Sequence, residues 1–233
     1  MAKSKLFDRE RIFDSKPEEA DESVVLAFVS ILFGVVAGLI MSDLADQLEV
    51  VFDGGRNARD ERVWHLLVGA ALTILSYIGY YSSANSAHHR IKFLNLPFVL
   101  FCLDVLMVFV YYVLFRYAEA GTGLSSPDAL PEALVVFVSF VLYLSWDFIS
   151  WRIRADQGYQ AVLQRDPIDS FGRRRWVTFF FTILFGAIAL VIWLVDPSSS
   201  RAVVRVDVLL IVLLALYRLA KVGFDDEAST RDR

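Results

Sequence analysis

Residues 93–115, FLNLPFVLFCLDVLMVFVYYVLF, carry a single charge, Asp104, in 23 positions. Wound as an α-helix at 1.5 Å per residue, the stretch is roughly 34 Å long, enough to cross the ~30 Å hydrocarbon core of a bilayer. A membrane β-strand needs only about 10 residues and alternates apolar with polar side chains. This run is longer and apolar all round. It predicts a helix, which satisfies its own backbone inside lipid.

Five more runs read the same way: 23–43 and 63–81 before it, 133–151, 176–195 and 202–221 after it. The expected fold is therefore all-α, a polytopic bundle of six transmembrane helices over residues 23–223. Residues 1–22 form a polar N-terminal segment. Within it, residues 5–13 suit either a short interfacial helix or a frayed tail. Residues 224–233 form a polar tail expected to be disordered. The chain as a whole, 56% hydrophobic and 21% charged, is only moderately unlike a soluble domain. The clustering of its charges outside these runs excludes one. The first run is too long, and its flanks too acidic, for a cleaved signal peptide.

The loops set an orientation. Of the 23 Lys and Arg residues, 16 fall on the side of the termini and the second and fourth loops. Five fall on the other side, and Arg205 and Arg218 lie within the last run. The positive-inside rule places both termini in the cytoplasm, and a bacterial inner membrane is the expected location. Trp64, Trp176 and Trp193 sit at run ends, and Trp146 and Trp151 near the inner end of the fourth, where indoles meet headgroups. A net charge of −4 gives no basic footprint for nucleic acid. The lone Cys102 allows no internal disulfide.

Polar residues inside the runs are the candidates for function. Ser30, Gly34, Gly38 and Ser42 recur every fourth residue and fall on one helix face. Such small-residue faces let backbones approach closely, either between subunits or within one. Thr178, Thr182 and Gly186 repeat the device in the fifth run. Ser30-Ile-Leu-Phe-Gly34 closely parallels Thr182-Ile-Leu-Phe-Gly186, which reads as chance among apolar runs. The second, third and fourth runs each carry a polar stripe: Thr73, Ser76, Tyr77 and Tyr80; Asp104 and Tyr111; Ser139, Tyr143, Asp147 and Ser150. These form either a hydrogen-bonded core or a wet path.

A carboxyl deep in a bilayer costs about 2.5–3.5 kcal/mol even on insertion scales, so Asp104 and Asp147 invite a functional reading. Asp104, near the middle of its run with Tyr77, Tyr111 and Tyr143 nearby, is expected to line the path. Asp147 lies in the inner third, at a depth where Arg218 can pair with it. Arg205, Asp207, Arg116 and Asp43, near the outer ends, are expected to snorkel to the surface. Arg173, Arg174 and Arg175 offer a cytoplasmic docking surface for a protein partner or an anionic signal.

Several chemistries lack their motifs. There is no Thr-Val-Gly-Tyr-Gly filter, no arginine ladder and no phosphate-binding glycine loop. His65, His88 and His89 form no His-Glu-x-x-His helix, and the only cysteine is mid-span, so neither zinc nor another cofactor is expected. Neither is an enzyme. Three function classes stay open: a homo-oligomeric channel or membrane-permeabilising pore, a proton-coupled transporter using Asp104 and Asp147, and a non-catalytic membrane scaffold.

Overall fold

The computed structural model describes residues 17–52, 61–84, 96–120, 129–156, 168–197 and 199–231. They form six helices: α1 Pro17–Phe52, α2 Glu61–Ala84, α3 Leu96–Ala120, α4 Ala129–Asp156, α5 Ile168–Val195 and α6 Ser200–Arg231. No strand occurs among the described residues. The possible interfacial segment at 5–13, the His88–His89–Arg90 turn and the stretch after α4 lie outside them.

Local chemistry explains the ends. Pro17 opens α1 and Pro97 stands in the first turn of α3, where a missing backbone N–H costs nothing. At the other end of α5, Asp196 adopts φ 47° and its N–H returns to the Ile192 carbonyl at 2.9 Å. This is a left-handed helix stop, followed at once by Pro197. Ser199 then caps α6, accepting the Ala202 N–H on its side chain at 3.3 Å. At the far end, α6 runs on as helix through Arg231, where a disordered tail was expected after Phe224. No proline interrupts it there.

Side-chain pairs fix the helix directions. Phe33 meets Tyr77 and Tyr80, while Ile40 approaches Gly69, so α1 and α2 are antiparallel. Phe28 meets Phe101 and Phe33 meets Tyr111, so α1 and α3 are parallel. Asp147 with Thr178 and Phe140 with Phe185 make α4 and α5 antiparallel. The odd helices run one way and the even helices the other. α2 packs on α1, α3 and α6, and α4 on α3, α5 and α6.

Apolar side chains, aromatic and aliphatic alike, both fill the bundle and coat it. Phe33, Tyr111, Phe140, Phe185, Leu210 and Leu214 fill its interior. Ile31, Phe180, Ile183, Leu190 and Leu219 stand on the outside, each more than half exposed. An apolar surface running along every helix is the signature of a lipid-facing protein. Trp176 and Trp193, exposed near the two ends of α5, lie 17 residues apart, roughly 26 Å along the axis. That matches the distance between two headgroup layers.

Five helices, α1 to α5, are long and apolar enough to cross a membrane. α6 is long but carries Arg205, Asp207, Arg218 and Lys221, so its composition alone does not mark it as a span.

Candidate functional site

The buried polar groups gather at distinct levels along the bundle. The first level lies where α2, α4 and α6 begin. His65 is the fifth residue of α2, Glu132 the fourth of α4 and Asp207 the eighth of α6. Because these helices are parallel, the three side chains arrive at one height. His65 is 1% exposed and the two carboxylates 0%. His65 Nδ1 and Glu132 Oε2 share a hydrogen bond, and Asp207 Oδ2 stands 3.5 Å from the same nitrogen. Each residue offers a donor atom within 4.8 Å of the other two. Asp207 therefore does not snorkel, as its position near a helix end suggested. Neighbouring Arg205 is exposed, but Asp207 shares the buried stripe of Val203, Leu210 and Leu214 and is carried into the core with it.

The second level lies in the middle. Tyr143 of α4 hydrogen-bonds both Ser76 of α2 and, at 2.7 Å, Tyr111 of α3. Ser76 also donates to the Leu72 carbonyl of its own helix. Two of the three expected tyrosines are thus joined in one network. The third, Tyr77, is half-buried and packs against Phe33 and Tyr81 instead. Ser139 donates to the Val135 carbonyl at 2.9 Å, and Thr73 is buried on the same face as Ser76.

The third level lies toward the ends of α4 and α6. Asp147 is 6% exposed. Thr178 of α5 donates to Asp147 Oδ2 at 2.7 Å, and the Lys221 ammonium donates to the same oxygen at 3.5 Å. Thr178 also meets the Tyr217 hydroxyl at 3.3 Å, and Lys221 lies 5.3 Å from the Tyr217 ring centre. The Tyr217 ring in turn stacks on Tyr143, centroids 6.3 Å apart. Arg218, the expected partner of Asp147, instead lies against α2, with Nη1 3.3 Å from where a side chain on Gly79 would begin. The two cations sit three residues apart on α6, about 60° apart around the axis, and that modest rotation puts Arg218 beside α2 and Lys221 beside α4.

Asp104 is buried, 6% exposed, apart from this network. Its neighbours are Tyr80 of α2 and Trp146 of α4. α3 starts at the end where α2 and α4 finish, so the Asp104 side chain leans toward that end, away from Tyr111.

No family model, curated protein or solved structure matches this chain. The reading therefore rests on geometry. Gly34, Gly38 and Ser42 face outward, Ser30 is half-buried, and among the described residues nothing beyond the local α1 backbone lies within 4 Å of where a side chain on either glycine would begin. Among the described residues, no other helix packs on the Gly34 and Gly38 part of that stripe. Of the arginines on the expected docking surface, Arg175 lies 4.9 Å over the Trp151 ring. Arg173 and Arg174 belong to α5, and their side chains lie outside the described residues.

Sequence reading missed Glu132, Lys221 and the burial of His65 and Asp207. The usable signal was weak: ionisable residues at equal depth from the starts of the three even helices.

Proposed function

We propose that the chain is an integral membrane protein that couples transport to proton movement, with Asp147 as its proton-carrying carboxylate. The observation that carries this reading is the Asp147 cluster. A buried carboxylate shares one oxygen between a threonine hydroxyl and a lysine. Stacked Tyr217 joins that cluster to the Ser76–Tyr143–Tyr111 network. Buried ion pairs inside a membrane are expensive to keep, and pairs of this kind commonly serve proton relays. Protonating Asp147 releases Lys221, and the pair can then separate when helices move.

The packing favours a transporter over an open pore within one chain. Tyr111, Phe140 and Phe185, each at most 1% exposed, fill the centre where the polar stripes meet. Along α4, Glu132 and Ser139 are also seven residues apart, about 10 Å without a buried polar side chain of that helix between them. Protons cross such a gap only when the helices rearrange. In this reading α6 is the sixth crossing. It turns Asp207 and Lys221 inward, lays Arg218 along Gly79 and leaves Arg205 near its outer end. Both termini are then cytoplasmic, in a bacterial inner membrane.

The test uses the full chain in liposomes loaded with a pH-sensitive dye, under a potassium diffusion potential. Wild type should carry protons faster than protein-free vesicles. Asp147→Asn, nearly isosteric, should cut the rate roughly tenfold or more. Unchanged flux in that variant, with the protein still folded, would assign the cluster to packing alone.

A second reading, an ion path between copies of the chain, is favoured by the outward face of α1. Its open glycines suit close approach of a second copy.

A further inference from the structure

We propose that His65, Glu132 and Asp207 form a binding site for a first-row divalent cation, of the zinc class. The three residues come from three helices and meet at one height, which fixes their separation by the packing of the bundle. They supply one imidazole nitrogen and two carboxylates, a donor set that suits Zn²⁺, Mn²⁺ or Co²⁺ with at least one further position open.

Two independent observations support a ligand there. The first is unmet polarity. Neither oxygen of Asp207 has a hydrogen-bond partner among the described residues, and nor does Glu132 Oε1. Both side chains are 0% exposed. Two ionised carboxylates turned toward each other offer acceptors to acceptors and need a proton or a cation between them; a buried acceptor left unmet costs about 1–3 kcal/mol, more when charged. The second is spacing. Two ligand atoms on a tetrahedral ion with bonds of about 2.0–2.1 Å stand about 3.3 Å apart. The His65 Nδ1 to Asp207 Oδ2 separation is 3.5 Å, and all three donors lie within 4.8 Å. His65 Nδ1 and Glu132 Oε2 are in closer, hydrogen-bonding contact and part by about an ångström when an ion takes the place of the proton between them.

Charge points the same way. A neutral imidazole and two carboxylates carry −2, which a divalent cation cancels. Glu61, buried one turn before His65, adds a further carboxylate to this end of the bundle. Binding replaces the proton now held between His65 Nδ1 and Glu132 Oε2. That proton leaves to solvent, His65 keeps a proton on Nε2, and the ion takes the Nδ1 lone pair of an imidazole that stays neutral, so the loaded donor set carries −2. No redox step is involved.

The site does not rest on the proton-transport reading, and its test is binding in detergent without any flux. Purified full-length chain, stripped with a chelator, is titrated with Zn²⁺ by calorimetry. Co²⁺ serves as the spectroscopic probe. One ion per chain should bind with proton release, and Co²⁺ should give the visible absorption of a low-coordinate nitrogen–oxygen site. Asp207→Asn, which keeps the shape, should weaken binding by more than about 100-fold, beyond the loss caused by an outer-sphere partner. His65→Ala should abolish the Co²⁺ spectrum. If His65→Ala fails to fold, Asp207→Asn and Glu132→Gln still decide the question. Absence of stoichiometric Zn²⁺ binding to the wild type, or binding unchanged in Asp207→Asn and Glu132→Gln, overturns the proposal and leaves the cluster holding protons only.

Discussion

Ser30-Ile-Leu-Phe-Gly34 of α1 and Thr182-Ile-Leu-Phe-Gly186 of α5 differ by one methyl group in sequence and have opposite fates in the bundle. In both, the phenylalanine is buried and the isoleucine faces outward. The flanking small residues diverge. Thr182 donates to the Thr178 carbonyl at 2.7 Å and reaches the Phe140 carbonyl of α4 at 3.3 Å. A side chain on Gly186 would begin 2.9 Å from the Phe137 ring. Around Gly34 and Gly38, no other helix among the described residues comes within 4 Å. α5 is gripped by α4 and α6, so its small face becomes an internal seam. α1 leans on α2 and α3 through Val29, Phe33, Val36 and Ile40, and its small face is left over. A small-residue stripe therefore states that close approach is possible. Which neighbour uses it depends on what else the helix touches.

The largest effect is expected at Gly186. Gly186→Leu should drive the new side chain into Phe137 and lower stability by about 1–3 kcal/mol or more, read as an earlier unfolding transition in detergent. Phe137→Leu in the same chain should recover part of the loss. A tolerated leucine with no shift would mean that the α4–α5 seam is looser than described.

Next comes the α1 face. Gly34→Leu with Gly38→Leu should leave the unfolding transition of the single chain within about 0.5 kcal/mol. The same pair should shift the solubilised particle to smaller mass by light scattering if copies meet there. A particle of unchanged mass would give that face to lipid alone.

The smallest difference separates the two hydroxyls. Thr182→Val removes an interhelical hydrogen bond and should cost about 0.6 kcal/mol, the usual scale in membranes. Ser30→Val should cost nothing measurable by the same unfolding assay. Equal effects would remove the distinction between the two stripes.

The architecture was legible because lipid imposes a strong filter on sequence. Each long run with few or no charges had to be a helix, and the exposed Trp176 and Trp193 mark the ends of the apolar part of α5 independently. What stayed hidden was adjacency. Nothing in the spacing of His65, Glu132 and Asp207 along the chain brings them to one height; the parallel registration of α2, α4 and α6 does. Position near a helix end made Asp207 look like a surface group, although rotation about the helix axis, not depth, turned it inward. The partner of Asp147 was hidden too. Arg218 and Lys221 are one turn apart on nearly the same face, and which of them reaches Asp147 depends on how α6 sits between α2 and α4. Asp104 was legible as a buried carboxyl, but its neighbours Tyr80 and Trp146 were not, because side chains of antiparallel helices lean in opposite directions.

The two bridges between α2 and α4, His65 to Glu132 and Ser76 to Tyr143, join residues separated by the same 67 positions. They act as two rungs of a ladder between parallel rails, about 16 Å apart along the axis. A sliding motion of one rail stretches both rungs together and must pay for both. A tilt pivoting on one rung opens only the other. Any change of shape that parts Ser76 from Tyr143 while His65 holds Glu132 is therefore a pivot about the histidine rung, and an ion clamped there would stiffen the pivot without blocking the swing.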